Sequence, residues 1–573
     1  MLQTLTTPRG ETLSGTPWQV YPRPQMRRDS YRNLNGEWEF AVSREKPETF
    51  DMRITVPFCP ESRLSGIGRH FEEGAPLWYR RRFVLPDGFR RERVLLHVGA
   101  ADQTAEVFVN GQCLCRHEGG YASFCVDVTE ALAEENELVI RCTDDLRDQA
   151  FPYGKQVTNR GGMWYTPVSG IWQTVWLESV PGTYIEKLNI ENHGASVTIS
   201  TVPPLEGTVN IEALGQFPLV NGRVTVTPEN PRFWCPDDPY LYRFTLETAQ
   251  DKVESYFAIR SLEIKKIGEY PRLCLNGKPY FFHGLLDQGY WPEGLLTAPA
   301  PESYADDILA MKRLGFNTLR KHIKIEPEEF YYQCDRLGMI VWQDMVNNGS
   351  YSYFRDTVLP TIGIQKRNDR HLHRDERSRN AFRQGAADGV NQLKNHPCIC
   401  YWTIFNEGWG QFDSDRVCRW FRTLDATRFI DATSGWFRGK NTDVDSRHQY
   451  FGKLRLAGDG LRPLVLSEFG GKTWRVEGHI FNPDKTYGYG ACPTKEALNE
   501  AVAALYRESI VPAVEKGLCA AIYTQVSDVE DEVNGLATYD RRVVKLDGDT
   551  MLPISKALQN AMEKTVASFE KKG

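Results

Sequence analysis

The 573-residue chain lacks several features that would point to whole classes of function. No run approaches the length of a membrane-spanning helix, which argues against a membrane partner. The N-terminal stretch Met1-Leu2-Gln3-Thr4-Leu5-Thr6-Thr7-Pro8-Arg9 has no apolar signal core. The chain therefore reads as cytoplasmic, unless a signal peptide was removed before this numbering begins. There is no excess of one charge: 69 basic against 75 acidic side chains leave −6, so no nucleic acid or other polyanion is implied. The 13 cysteines are odd in number and scattered, and Cys113-x-Cys115 and Cys398-x-Cys400 alternate as in strands, without zinc-knuckle spacing. Buried free thiols in a reducing compartment are expected. A Ser-His-Asp grouping with a nucleophile elbow, a phosphate-loop glycine pattern and a long internal repeat are all missing.

Aromatics are plentiful, with 14 Trp, 25 Tyr and 28 Phe. Sugar sites use aromatic platforms and β-sandwich cores use aromatics too, so the count alone decides little. The length is too great for one core and suggests three or four domains.

The most informative stretch is Ile399-Cys400-Tyr401-Trp402-Thr403-Ile404-Phe405-Asn406-Glu407-Gly408-Trp409. Ile399 to Phe405 is apolar or β-favouring, as in a parallel strand buried on both faces, and a polar Asn-Glu pair then appears abruptly. Leu464-Val465-Leu466-Ser467-Glu468-Phe469-Gly470-Gly471 repeats the design. A carboxylate at the C-terminal end of a (β/α)8-barrel strand faces the mouth where chemistry occurs. One such Glu is as easily a capping or salt-bridged residue. Two of them supply what glycoside hydrolysis needs: one protonates the leaving oxygen, and the other attacks or activates water.

Both strands resemble the acid/base and nucleophile motifs of glycoside hydrolase family 2, which includes β-galactosidases, β-glucuronidases and β-mannosidases. The resemblance covers nearly the whole chain. Residues 1–180 read as short strands and turns, hence a β-sandwich. Glu106-Val107-Phe108-Val109-Asn110-Gly111, His117-Glu118-Gly119-Gly120-Tyr121 and Val168-Ser169-Gly170-Ile171-Trp172-Gln173 resemble that family's jelly-roll sugar-binding domain. In relatives a loop before the last of these motifs brings an acidic residue to the barrel mouth; here the position falls on Trp164, for which core packing or a lid role is an equal alternative. Residues 181–264 continue in strands, with a turn-rich Asn230 to Pro239 connector, and fit a small immunoglobulin-like sandwich, a spacer without chemistry. From 265 to 573 strands and helices alternate as a C-terminal (β/α)8 TIM barrel. Its strands open at Tyr280-Phe281-Phe282-His283-Gly284, helices are expected over Pro301 to Leu314 and Pro327 to Leu337, and the mixed-charge run Lys366 to Arg383 reads as a solvated helix face.

Polar residues at strand ends are Asp287, Gln288, Arg320, His322, Asp344, Asn406, Glu407, Tyr450 and Glu468. Each alone is as easily a structural hydrogen bonder. The resemblance implies that Glu407 is the acid/base, Glu468 the nucleophile, Arg320 the group orienting Glu468, Asn406 a ligand of the sugar 2-hydroxyl, and Tyr450 a contact of the nucleophile. His322, Asp344, Asp287, Gln288, Trp409, Trp164, Lys321 and Lys324 are the remaining candidate sugar contacts. Glu407 is expected to stay protonated beside the like charge of Glu468. The last strand has Ile522-Tyr523-Thr524-Gln525 where better-known relatives often end in Trp, and Asp531-Glu532-Val533-Asn534-Gly535-Leu536 lacks the Asn-x-Lys that reads the carboxylate in familiar β-glucuronidases. Lys321, Lys324 and Lys472 flank the mouth motifs, with solvent exposure as their default.

The expectation is a retaining exo-β-glycosidase acting on a galacto-configured sugar, β-galactoside or β-galacturonide, with β-glucuronidase, β-mannosidase, an endo-acting glycanase and a non-catalytic carbohydrate-binding protein as alternatives. It needs a carbohydrate substrate, no cofactor and no metal. A homo-oligomer stays open.

Overall fold

The computed structural model describes residues 2–364, 368–452, 454 and 456–570. The N-terminal strands form two facing antiparallel sheets. One has six strands in the order Met52–Val56, Gly36–Val42, Leu77–Phe83, Asn136–Thr143, Thr104–Val109 and Gln112–Glu118. The other runs Tyr31–Asn33, Val175–Val180, Arg93–Val98 and Phe124–Asp127. Alternation drives this packing: in Thr104–Val109, Ala105, Val107 and Val109 are buried while the residues between them are half-buried. A second sandwich follows, with a three-stranded sheet from Lys187–His193, Ser196–Val202 and Arg223–Val226 facing a four-stranded sheet that includes Gly207–Ile211 and Tyr242–Thr248.

Eight parallel strands form the third unit: β1 Phe282–Asp287, β2 Thr318–Lys321, β3 Ile340–Asp344, β4 Ile399–Asn406, β5 Phe429–Ser434, β6 Asp445–Gln449, β7 Leu464–Gly470 and β8 Leu518–Thr524. Their order is β5-β4-β3-β2-β1-β8-β7-β6, so among the described residues the backbone ladder lapses only between β5 and β6. Side chains bridge that seam. Ser434 of β5, Ser446 of β6 and Ser467 of β7 form a buried hydroxyl cluster, with 2.5 Å between the last two oxygens and 3.1 Å between the first and last. All eight residues of β4 are buried, as expected of a strand covered on both faces. The expected helices appear as α1 Glu302–Arg313 and α2 Glu328–Leu337. The mixed-charge run lies partly on α3 Glu376–Leu393; its first residue, Lys366, lies outside the described residues.

The sandwiches are fastened to the barrel by buried polar contacts. Trp18 Nε1 donates to Ala298 O (2.9 Å), Tyr153 Oη to Gly349 O (2.8 Å), and Arg260 to Pro397 O and Ile399 O (2.6 and 2.8 Å). The loop between Asn136–Thr143 and Gly170–Ile171 crosses to the barrel mouth, where Tyr165 packs on Tyr290. All 13 cysteines are unpaired. They are not uniformly buried as expected: Cys113 and Cys125 are exposed, because they lie on strands whose outer face meets solvent.

Candidate active site

Glu407 and Glu468 stand at the C-terminal ends of β4 and β7. The β4 strand ends in a sharp turn: Glu407 has φ of 56°, in the left-handed region that non-glycine residues rarely adopt. Gly408 follows at φ 78°, where a Cβ would meet the Phe437 ring at 2.4 Å, so glycine is required there. This turn lifts the Glu407 carboxylate out of the strand and into the mouth.

Arg320, at the end of β2, lies fully buried at the centre of the site. Its guanidinium donates to Asp344 Oδ1 (2.9 Å), Glu468 Oε1 (2.8 Å), Ser467 O (3.0 Å) and Asn406 Oδ1 (2.8 Å). Asp344 also meets His322 Nδ1 at 2.7 Å. A planar fork with its donors in fixed directions thus sets the orientation of three side chains from three strands. Asn406 is held by its carbonyl oxygen, which leaves its NH2 as the group able to donate to a sugar hydroxyl.

Glu468 is further fixed by Tyr450, whose hydroxyl donates to Oε2 and whose ring stacks on Tyr489 with centroids 4.2 Å apart. Burial alone would raise the Glu468 carboxyl, but His448, Arg320, His322 and the Tyr450 hydroxyl outweigh it and hold it down at about 2. The ionised form of Glu468 is therefore the favoured one. Burial lowers His322 from its ordinary value, against the raising pull of the Asp344 hydrogen bond. Asp344 is itself held below the usual carboxylate range: burial opposes ionisation, and Arg320 and His322 overcome that.

His448 was not anticipated. It joins both carboxylates: Nδ1 lies 2.7 Å from Glu407 Oε1, while Nε2 lies 3.0 Å from Ser434 Oγ and 3.7 Å from Glu468 Oε1. The contact is a hydrogen bond between a carboxylate oxygen and a ring nitrogen, and the tautomer of His448 decides which atom donates. The only sequence signal was its place in Arg447-His448-Gln449-Tyr450. Glu407, His448 and Glu468 are also the one grouping among the described residues that could converge on a cation, with ligand atoms within 4.8 Å of one another. The same geometry brings the two carboxylates face to face.

The other candidates divide. Trp164 reaches the mouth from the N-terminal sandwich, edge-on to Trp409 (5.0 Å) and Tyr351 (4.9 Å). Trp409 is buried, its Nε1 donating to Gly349 O at 3.0 Å. Gln288 Nε2 donates to Gln525 Oε1 (2.8 Å), which ties β1 to the departure from Trp after β8. The expected exposure of Lys321 and Lys324 is wrong. Both are buried, and both are consumed by structural contacts. Lys321 pairs with Asp287 (2.7 Å) and Glu326 (2.9 Å), and Lys324 with Glu326 (2.8 Å) and Leu296 O (2.7 Å). Burying these charges is tolerable only because each is paired, so neither lysine nor Asp287 is free for a sugar.

Three family models match in chain order. Residues 69–161 match the glycosyl hydrolase 2 galactose-binding domain-like model, 183–260 the glycosyl hydrolases family 2 model, and 267–453 the family 2 TIM barrel domain. A β-galactosidase of Thermoanaerobacter pseudethanolicus is 24% identical over 356 residues, covering 57% of this chain and 44% of that protein. A β-glucuronidase of Bacteroides fragilis is 21% identical over 405 residues, covering 65% and 56%. The chain spans about half the length of these curated relatives. Among solved structures, an uncultured Clostridium sp. β-glucuronidase superposes with TM-score 0.71 at 18% identity, covering 95% of this chain and 100% of that one. A family 2 β-galacturonidase of Eisenbergiella tayi gives TM-score 0.66 at 17% identity over 95% and 98%. At such identities the superpositions speak for the fold alone. With a matching N-terminal, middle and barrel model in sequence along it, the chain belongs to glycoside hydrolase family 2.

Proposed function

We propose that this chain is a retaining exo-β-glycosidase, with the chemistry carried by the barrel of residues 265–573. The observation that carries the reading is the approach of Glu407 and Glu468, with ligand atoms within 4.8 Å of one another, across a site held by Arg320. Retaining enzymes place their carboxyl groups about 5–5.5 Å apart, whereas inverting ones leave about 6.5–9.5 Å for a water. Glu468 attacks the anomeric carbon as the bond to the aglycone oxygen breaks and Glu407 delivers a proton to that oxygen. Water then enters from the same face, gives its proton to Glu407, and displaces Glu468 to release the β-sugar. The mutual packing of Trp164, Trp409 and Tyr351, which joins the N-terminal loop to the barrel, supports removal of terminal residues over internal cleavage.

For the glycone we infer a galacto configuration, as galactoside or galacturonide, because no Asn-x-Lys follows the last strand. The second reading is β-glucuronidase, favoured by the names of several relatives. A panel of nitrophenyl β-glycosides decides between them, with the anomer first formed read by proton NMR. Release of the β-anomer is expected. Initial release of the α-anomer overturns retention, and strong glucuronide or mannoside turnover with none on either galacto substrate overturns the choice of sugar.

A further inference from the structure

A uronic acid entering this site needs a cation for its C6 carboxylate, since leaving a buried carboxylate unpaired is costly. The cations placed nearest by sequence are committed. Arg320 serves Glu468, Asp344 and Asn406, and Lys321 and Lys324 serve Glu326. Lys155 differs. It comes from the N-terminal sandwich, on the loop that crosses to the barrel, and is 9% exposed. Its Nζ lies 5.5 Å from the centre of the Trp164 ring, and Trp164 in turn meets Trp409, two residues beyond Glu407. Among the described residues, no carboxylate lies within 4.0 Å of this ammonium and no hydrogen bond satisfies it, and the atom keeps some exposure. A buried lysine normally has a partner.

Two neighbours locate the charge further. Lys155 adds to the burial that lowers His322, against the raising pull of Asp344 and Glu468, so it stands within electrostatic reach of the Arg320 network. It also opposes the upward push of burial on Glu532, which is held by Tyr165 Oη (2.5 Å) and Asn534 Nδ2 (2.9 Å) on the loop after β8.

We propose that Lys155 is the carboxylate-reading residue of this site: its ammonium, presented by the N-terminal sandwich beside Trp164, pairs with the C6 carboxylate of a hexuronic acid glycone. The proposal rests on the glycosidase reading above and narrows it from neutral sugars to uronides. The Trp164 face orients the ammonium, and the carboxylate supplies the missing partner.

The test compares kcat/KM for nitrophenyl β-galacturonide, β-glucuronide and β-galactoside in the wild type, Lys155→Met and Lys472→Met. Lys472 is the control, a half-buried mouth lysine beside Gly490. Wild type should prefer a uronide. Lys155→Met should reduce the uronide-to-galactoside ratio about 100-fold, as loss of a charge-assisted bond implies, with Lys155→Arg recovering part of it and Lys472→Met leaving the ratio in place. Binding of free galacturonate or glucuronate, against galactose, to wild type by calorimetry gives a readout independent of any variant and should favour the acid. A uniform loss on all substrates in Lys155→Met, a ratio shift in Lys472→Met instead, or a wild-type preference for galactoside with no tighter binding of the acid overturns the proposal while the glycosidase reading stands. No turnover of any glycoside, with the acid still bound by wild type and lost in Lys155→Met, overturns the glycosidase reading and leaves the carboxylate subsite.

Discussion

Removing the Glu407 carboxyl tests the division of labour between the two acids most directly. In Glu407→Ala the nucleophile keeps its bonds to Arg320 and Tyr450, so Glu468 still attacks. What disappears is the proton for the leaving oxygen and the base for the incoming water. General acid catalysis contributes about 10²–10⁴-fold, so methyl or alkyl glycosides should lose activity by that factor. A dinitrophenyl glycoside leaves without protonation, so its first step should be nearly unchanged. Its second step lacks a base, so glycosyl-enzyme accumulates, with a burst of dinitrophenol and a fall in KM. The side chain is 16% exposed, so its deletion opens a space that solvent reaches. Azide at that space lies on the β face, and it should restore turnover and yield a β-glycosyl azide. Stopped-flow release of dinitrophenol, with product identification by NMR, reads every step. Glu407→Gln keeps the volume and the strained turn, and separates loss of the proton from loss of packing. Equal losses on all leaving groups, with no burst and no azide product, would refute the acid/base assignment.

Glu468→Ala should abolish turnover of every aglycone, dinitrophenyl included, because no nucleophile remains; residual wild-type-like burst kinetics would sink the assignment. Tyr450→Phe removes a hydrogen bond to a charged group, worth about 1.5–3 kcal/mol, and should lower kcat/KM about 10–150-fold while moving the acid limb of its pH profile upward. An unmoved limb would mean that Tyr450 does not hold Glu468 down. Arg320→Met strands Asp344 and Glu468 as buried charges and should cost about 3–5 kcal/mol in urea unfolding; a change below about 1 kcal/mol would contradict the network. Glu468 has its folded value depressed from 4.5 to about 2. Its contribution to stability is therefore present above the unfolded value and lost as pH falls toward 2. Wild type should lose melting temperature more steeply than Glu468→Gln between about pH 5 and 2, and parallel curves would remove the linkage.

The sequence by itself determined the architecture, because the signals that specify it are local. Period-2 alternation over 104–109 put one face of a strand inward. The continuous apolar run over 399–405 demanded cover on both faces, and an abrupt Asn-Glu or Ser-Glu at the end of such a run marked the mouth. Partnerships were not local, and only the tertiary structure decided them. Arg320 and Glu468 are 148 residues apart, and His448 lies 41 residues from Glu407. The seam between β5 and β6 brings His448 between the two acids, yet its serines carry no mark in the chain. Lys321 and Lys324 looked like surface charges because lysine usually is one; folding Glu326 and Asp287 against them made burial tolerable. Trp164, with Lys155 beside it, meets Trp409 of the barrel only because a loop from another domain crosses to it. Strand identity follows from neighbours along the chain, whereas the charge environment of a site is set by groups that meet only when separate elements pack.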